Sequence, residues 1–226
     1  MAIFKQIVCL ANSRKLNGRC IAGKEMKLGE PSGWIRPVSA RENEEVSEYE
    51  RQYKDGSDPR VLDILNIPLL EPRPKGYQRE NWLFDPKSYW EKIGRSTWNN
   101  LQRFTDPIGP IWVNGIHTYN GLNDMIPLES AESIDNSLRF IWVDRLTLSV
   151  FRPGEVFGNL KRRVQGRFRH EKAEYWLWVT DPRYERAYLA KPDGEYEIGE
   201  CFITVSLGEP YNNACYKLIA AIIERE

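Results

Sequence analysis

The chain has 226 residues, 41% of them hydrophobic, enough to bury a substantial core as one large domain or two small ones. Thirty-two basic residues balance thirty-two acidic ones, which excludes a protein that coats polyanions through its overall charge and leaves such contacts to local patches. No apolar run approaches the roughly 18 residues needed to cross a bilayer, and residues 1–10 lack the apolar region of a secretory signal, so a cytoplasmic protein with no membrane contact is expected.

Short strands dominate the expected structure. Residues 3–11 read as one strand and 18–23 as a second, joined through Asn17-Gly18. A Gly-Glu-Pro-Ser-Gly turn at 29–33 leads to a third at 34–38. The acidic stretch 40–53 carries Val46, Tyr49 and Tyr53 at helical spacing and predicts a helix, with Ser39 and Glu42 in capping-box positions. Residues 61–70 form another strand, interrupted by Pro68. A longer helix is predicted over 85–104, because Asp85-Pro86 supplies an N-cap followed by a first-position proline, and Tyr89, Trp90, Ile93, Leu101 and Phe104 lie along one side.

The second half is more purely strand-like. Residues 138–151 alternate, and 164–170 pair with 175–180 across the charged turn 171–174. Strands follow at 184–190, 196–198, 202–207 and 216–223, although KLIAAII in the last also suits a buried helix. Such spacing argues for barrels or sandwiches.

Candidate binding residues fall in two groups. Near the start, Asn12, Ser13, Arg14, Lys15, Arg19, Lys24, Trp34 and Arg36, with Ser39 beyond them, combine many hydrogen-bond donors with one indole. Arginine holds phosphate through a rigid fork and tryptophan stacks on a base, so this mixture suits a nucleotide or nucleic acid. In the second half, strand periodicity puts Arg167 and Arg169 on one face, and Trp176 and Trp178 on one face of the partner strand. One sheet surface then shows arginines beside tryptophans; in the competing arrangement the tryptophans fill the core and the arginines line the rim.

Catalytic signals are absent from the sequence. His117 and His170 lie outside any metal-ligand spacing, and no metalloprotease, nucleophile-elbow or P-loop motif occurs. Asp63, Glu80, Asp144 and Asp181 are the acids available to a metal, but Asp181 precedes a proline and suits a turn. Cys9, Cys20, Cys201 and Cys215 form no C-x-x-C pair and read as reduced thiols rather than disulfides or a zinc site. No catalytic residue, metal or cofactor is expected.

Several segments together carry a family resemblance: GRCIAG at 18–23, GWIRPVS at 33–39, YKDGSDPRVLDIL at 53–65, QREN at 78–81, YWLWVTDP at 175–182 and ITVSLGEPYNNACYKLIAAII at 203–223. In these segments the chain resembles the bacterial dual OB-containing domain proteins along nearly its whole length. The resemblance implies a mainly β protein with a few helices, built as two consecutive OB-like β-barrels, here divided at 1–135 and 136–226. The long segment 71–136 is then an insertion or connector. The resemblance also implies a binding module, without an assigned active site, in a bacterial genome-defence or repair setting.

The function expected is binding of single-stranded DNA or RNA, or of a nucleotide-like ligand. Arg14, Lys15, Arg19, Arg36, Arg167 and Arg169 would hold phosphate; Trp34, Trp176 or Trp178 would stack on bases. Two other classes stay open: a hydrolase or nuclease acting on a nucleotide or modified base, and an adaptor whose acidic helix 40–53 meets a basic protein partner.

Overall fold

Ile7, Cys9, Ile21, Ile35, Leu65, Ile67 and Leu69 come from four different strands and meet in one buried core with Val46, Tyr53, Phe84 and Trp90. In the computed structural model, which describes residues 2–225, 52% of the chain is strand and 12% helix. It divides into two units, one reaching to Phe104 and including Asp135–Ser137, the other made of Thr105–Ile134 and the residues from Leu138 onward.

The first unit contains β1 (Ile3–Lys15), β2 (Gly18–Lys27), β3 (Glu30–Val38), a one-turn helix α1 (Glu48–Arg51), β4 (Asp63–Pro72), β5 (Asn81–Phe84), β6 (Glu91–Arg95) and a 3-10 helix at Trp98–Phe104. Pairing runs β1-β2-β3-β5-β4, and β1 pairs again with β4, which closes a five-stranded barrel. The β3–β5 contact is parallel; the others are antiparallel. β6 is appended to β4 outside the ring. Closure is tight at Gly23, where an added Cβ would lie 2.1 Å from the Val8 carbonyl oxygen, a backbone atom that cannot swing aside.

The second unit contains β7 (Met125–Pro127), α2 (Leu128–Glu132), β8 (Leu138–Phe151), a short 3-10 turn at Glu155–Phe157, β9 (Arg163–His170), β10 (Ala173–Val179), α3 (Pro182–Leu189), β11 (Gly194–Leu207) and β12 (Ala214–Glu224). Its ring is β8-β9-β10-β12-β11 with β11 returning to β8. The β10–β12 contact is again parallel, limited to Trp178 opposite Leu218 and Val179 opposite Ile219. Both rings therefore join their strands in the order first, second, third, fifth, fourth, with third and fifth parallel. Each has its helix between the third and fourth strands. This is the connectivity of the OB barrel. Across β8 and β11 Phe140 stacks on Phe202 at 5.4 Å, and across β9 and β10 Phe168 stacks on Tyr175 at 5.3 Å, all four rings being buried.

Several expectations are corrected. The predicted helix 40–53 shrinks to α1, because Glu44 takes a left-handed backbone conformation (φ 59°) and Val46 is drawn into backbone hydrogen bonds with Arg19. The capping box forms at Ser47 and Glu50, while the Ser39 hydroxyl accepts from the Arg41 backbone N–H at 3.2 Å. The acidic surface proposed for a protein partner is thus mostly irregular chain.

The predicted helix 85–104 does not form as one element; only Trp98–Phe104 coil, as the 3-10 helix. Asp85 closes a local turn through Lys87 and Ser88, Trp90 is buried edge-on to Phe84, and 91–95 pair with β4 instead of coiling. Conversely 184–190, expected as strand, forms the rest of α3 up to Leu189 and its C-cap Ala190, and Asp181 caps the helix start with Pro182 in the first turn. Residues 196–198 and 202–207 belong to one strand, β11, bulged at Gly199. KLIAAII lies in strand β12. The segment 71–136 is shared between the units: β5 within it completes the first ring, 105–134 belongs to the second unit, and Asp135–Ser137 belongs to the first. Among the described residues no helix is long and apolar enough to cross a membrane.

Candidate functional site

The opening cluster is dispersed by the register of its strands. Arg14 lies opposite Arg19 and Lys15 opposite Gly18 at the tip of the β1–β2 hairpin. Lys24 lies opposite Trp34 in the middle of β2–β3, about 16 Å along the strand from Arg19 at the usual rise per residue. Arg36 sits at the parallel seam opposite Asn81.

Much of this cluster has structural work. Asn12 donates to the Pro59 carbonyl at 2.8 Å and Ser13 to that of Cys20. Lys24 and Trp34 are both buried, the ammonium 5.5 Å from the indole centre. Arg36 is only 3% exposed; it pairs with the buried Glu80 at 3.0 Å and donates to Ser137 at 2.8 Å, while Ser137 also bonds Glu80. One concave site holding Arg19, Trp34 and Arg36 together does not form. Arg36 and Glu80 instead make a buried ion pair where β3 meets β5.

The second group assembles as the periodicity predicts. On β10, Tyr175, Leu177 and Val179 enter the core, while Trp176 and Trp178 face outward and are half-buried. Arg167 lies directly opposite Trp176 on β9, and Arg169 opposite Glu174. The Arg167 guanidinium rests 4.6 Å from the Trp176 ring centre, and Arg169 is exposed. On the other side of β9, Thr147 of β8 lies opposite Arg167 and Ser149 opposite Gln165. A groove of about 440 Å³ opens there, lined by Asp144, Arg145, Thr147, Arg167, Arg169 and Trp176.

Residues the sequence reading left out extend this surface. Arg163 lies 4.0 Å from the Trp178 ring centre, and Phe151 stacks on the same indole at 5.8 Å. Their signal was available: Arg163, Gln165, Arg167 and Arg169 alternate along one strand face, and Phe151 closes the outward positions of β8. Trp178 is consequently packed between neighbours, whereas Trp176 borders the groove. The backbone of Trp176 is bonded in both directions to Leu122, at 3.0 and 3.4 Å, so the segment preceding β7 braces the outer edge of β10.

Strands β9 and β10 are the second and third of their ring, and the outer face of those strands is where OB barrels take up oligonucleotides and oligosaccharides. A guanidinium layered on an indole keeps its edge N–H groups available to an oxygen ligand while the planar layer accepts a base or sugar ring. Among the remaining acids, Asp63 is buried between Lys92 at 2.7 Å, Arg95 at 3.3 Å and the Tyr53 hydroxyl at 3.0 Å. Asp181 accepts from the Arg183, Tyr184 and Ile222 backbone N–H groups, while burial raises its pKa. Among the described residues no three His, Cys, Asp or Glu side chains converge as metal ligands. His170 is half-buried beside the Gly109 carbonyl, and burial lowers its pKa. The cysteines are free thiols, with burial pushing Cys9 and Cys201 up to about 12.

The dual OB-containing domain model matches residues 5–222, spanning both rings. The chain belongs to that family. Searches of curated proteins and of solved structures returned no match. The two consecutive OB-like barrels give this family member the architecture of a binding module.

Proposed function

We propose that this dual OB-containing domain protein binds single-stranded nucleic acid on the outer face of β8, β9 and β10. The observation that carries this reading is the pairing of Arg167 with Trp176 across β9 and β10, beside an open groove. Phosphates would be met by Arg145, Arg167 and Arg169, and bases would stack on the layer formed by Arg167 and Trp176. In the first barrel the candidates at the equivalent position are buried, which favours the second barrel as the ligand-holding one. Strands separated from their complement arise during genome repair and in defence against foreign DNA, and that is the setting we assign to such a module.

The test is fluorescence polarisation with labelled oligo-dT and oligo-U, a duplex of the same length, and mononucleotides, at two salt concentrations. Binding of the oligonucleotides with a measurable salt slope supports the proposal. Failure to bind any single strand at low salt overturns it, and release of product in the same mixtures would replace a binding role with an enzymatic one.

A further inference from the structure

The arginines of this face are held by acids from the next strand. Asp193, immediately before β11, and Glu195 and Glu197 within it occupy alternate positions. Register puts Glu195 beside Ser149 and Glu197 beside Thr147, in the strand bordering the groove. Asp193 pairs with Arg162 at 2.6 Å and also with Arg152. Glu195 pairs with Arg167 at 2.7 Å, and Glu197 with Arg145 at 3.7 Å. Four arginines from β8, β9 and their connection thus share three carboxylates.

We infer that Glu195 and Glu197 are specificity-determining residues which occupy Arg167 and Arg145 in the free protein and so select ligands that offer unpaired bases over ligands that offer only phosphate charge. This inference rests on the strand-binding reading of the same face. A duplex presents phosphates with its bases stacked away, so it must displace each carboxylate in exchange for a similar ion pair and gains little. A single strand makes the same exchange but adds stacking on the Arg167–Trp176 layer, which the carboxylates do not contest. The arrangement fits the balance of 32 basic and 32 acidic residues, because the face depends on shape and stacking rather than on a positive field. Each pair is partly exposed, so a ligand can exchange with it; Glu195 is 61% and Glu197 67% exposed at the side chain.

The experiment compares the parent chain, a Glu195→Gln/Glu197→Gln variant, and a charge-matched control, Glu42→Gln/Glu48→Gln, altered at exposed sites in the first barrel. All are titrated with oligo-dT and with a duplex of equal length over a range of salt. The Glu195→Gln/Glu197→Gln variant is expected to bind duplex several-fold tighter with a smaller gain for oligo-dT, and its salt slope should steepen by roughly 0.7 to 0.9 per arginine released. The control should follow the parent. If the parent binds oligo-dT but the variant keeps the parent's slope and its ratio of single strand to duplex, the inference is overturned while the proposed function stands. If neither parent nor variant binds either ligand, both fall. Binding by the variant alone also overturns both, because the parent then has no strand-binding face whose preference the carboxylates could set.

Discussion

Arg167 and Trp176 face each other across two antiparallel strands, and the guanidinium that stacks on the indole also donates to Glu195. One side chain therefore links the aromatic platform of β10 to the acidic strand β11, crossing the floor of the groove.

Replacing Trp176 by alanine should separate binding from folding. The ring is half-buried on the outer face, so the melting temperature should fall little. Loss of a stacked base should cost roughly 1 to 3 kcal/mol of single-strand affinity with little change in salt slope. Titration with oligo-dT and a thermal melt read the two quantities; an unfolded variant would place the indole in the core instead.

An Arg167→Ala/Arg169→Ala variant should behave in the opposite way. Its affinity for single strands should fall at low salt, and the slope of log affinity against log salt should become shallower by between about one and two units. Parent-like binding by this variant would remove these arginines from the interface.

Glu80→Ala should destabilise the first barrel, since it leaves the Arg36 guanidinium buried without its carboxylate and removes the acceptor for Ser137. Breaking a buried pair from one side costs about 3 to 5 kcal/mol. Denaturant unfolding monitored at the tryptophans reports the loss, and an unchanged midpoint would contradict the assignment of Arg36 to the interior.

Alternation made half of the second-barrel face legible in the sequence: it set Trp176 and Trp178 on one side of the strand and Tyr175, Leu177 and Val179 on the other. Which side is the core is decided by the barrel, where Tyr175, Leu177 and Val179 are buried. The helices were harder to read, and one dipeptide shows why. Asp85-Pro86 and Asp181-Pro182 present the same start signal, yet only the second opens a helix. Both aspartates accept from the backbone N–H two positions on, but Asp181 also accepts from Tyr184 and Ile222, whereas the chain after Asp85 finds a strand partner in β4. Tertiary pairing decided the outcome, and no local pattern contains it. The dispersal of the opening cluster has a similar origin. Arg19, Trp34 and Arg36 are close in sequence, but register spreads them along the barrel, and the partner that buries Arg36 lies 44 positions away at Glu80.

Lys217 gives a prediction in pH. Its ammonium is buried in the second unit against the Val113 carbonyl at 2.7 Å and Asn114 at 3.3 Å, and burial lowers its pKa to about 7. The unfolded chain keeps this proton up to the ordinary lysine range, near 10.4. Between those values the unfolded state binds more protons, so this group adds stability as pH rises from about 7 and contributes least below it. A Lys217→Met variant should lack that increment. Denaturation midpoints of both proteins at pH 6, 7.5 and 9 measure it, and parallel curves would exclude a depressed lysine.

The backbone contacts between Leu122 and Trp176 have a kinetic consequence for recognition. Because β10 is clasped by a chain segment on one side and by β9 on the other, the indole is presented on a rail whose main chain is already fixed before any strand arrives. A ligand landing there need not wait for a loop to fold around it, so encounters should convert to capture at a rate governed by collision and orientation, and differences among sequences should be felt in how long they stay.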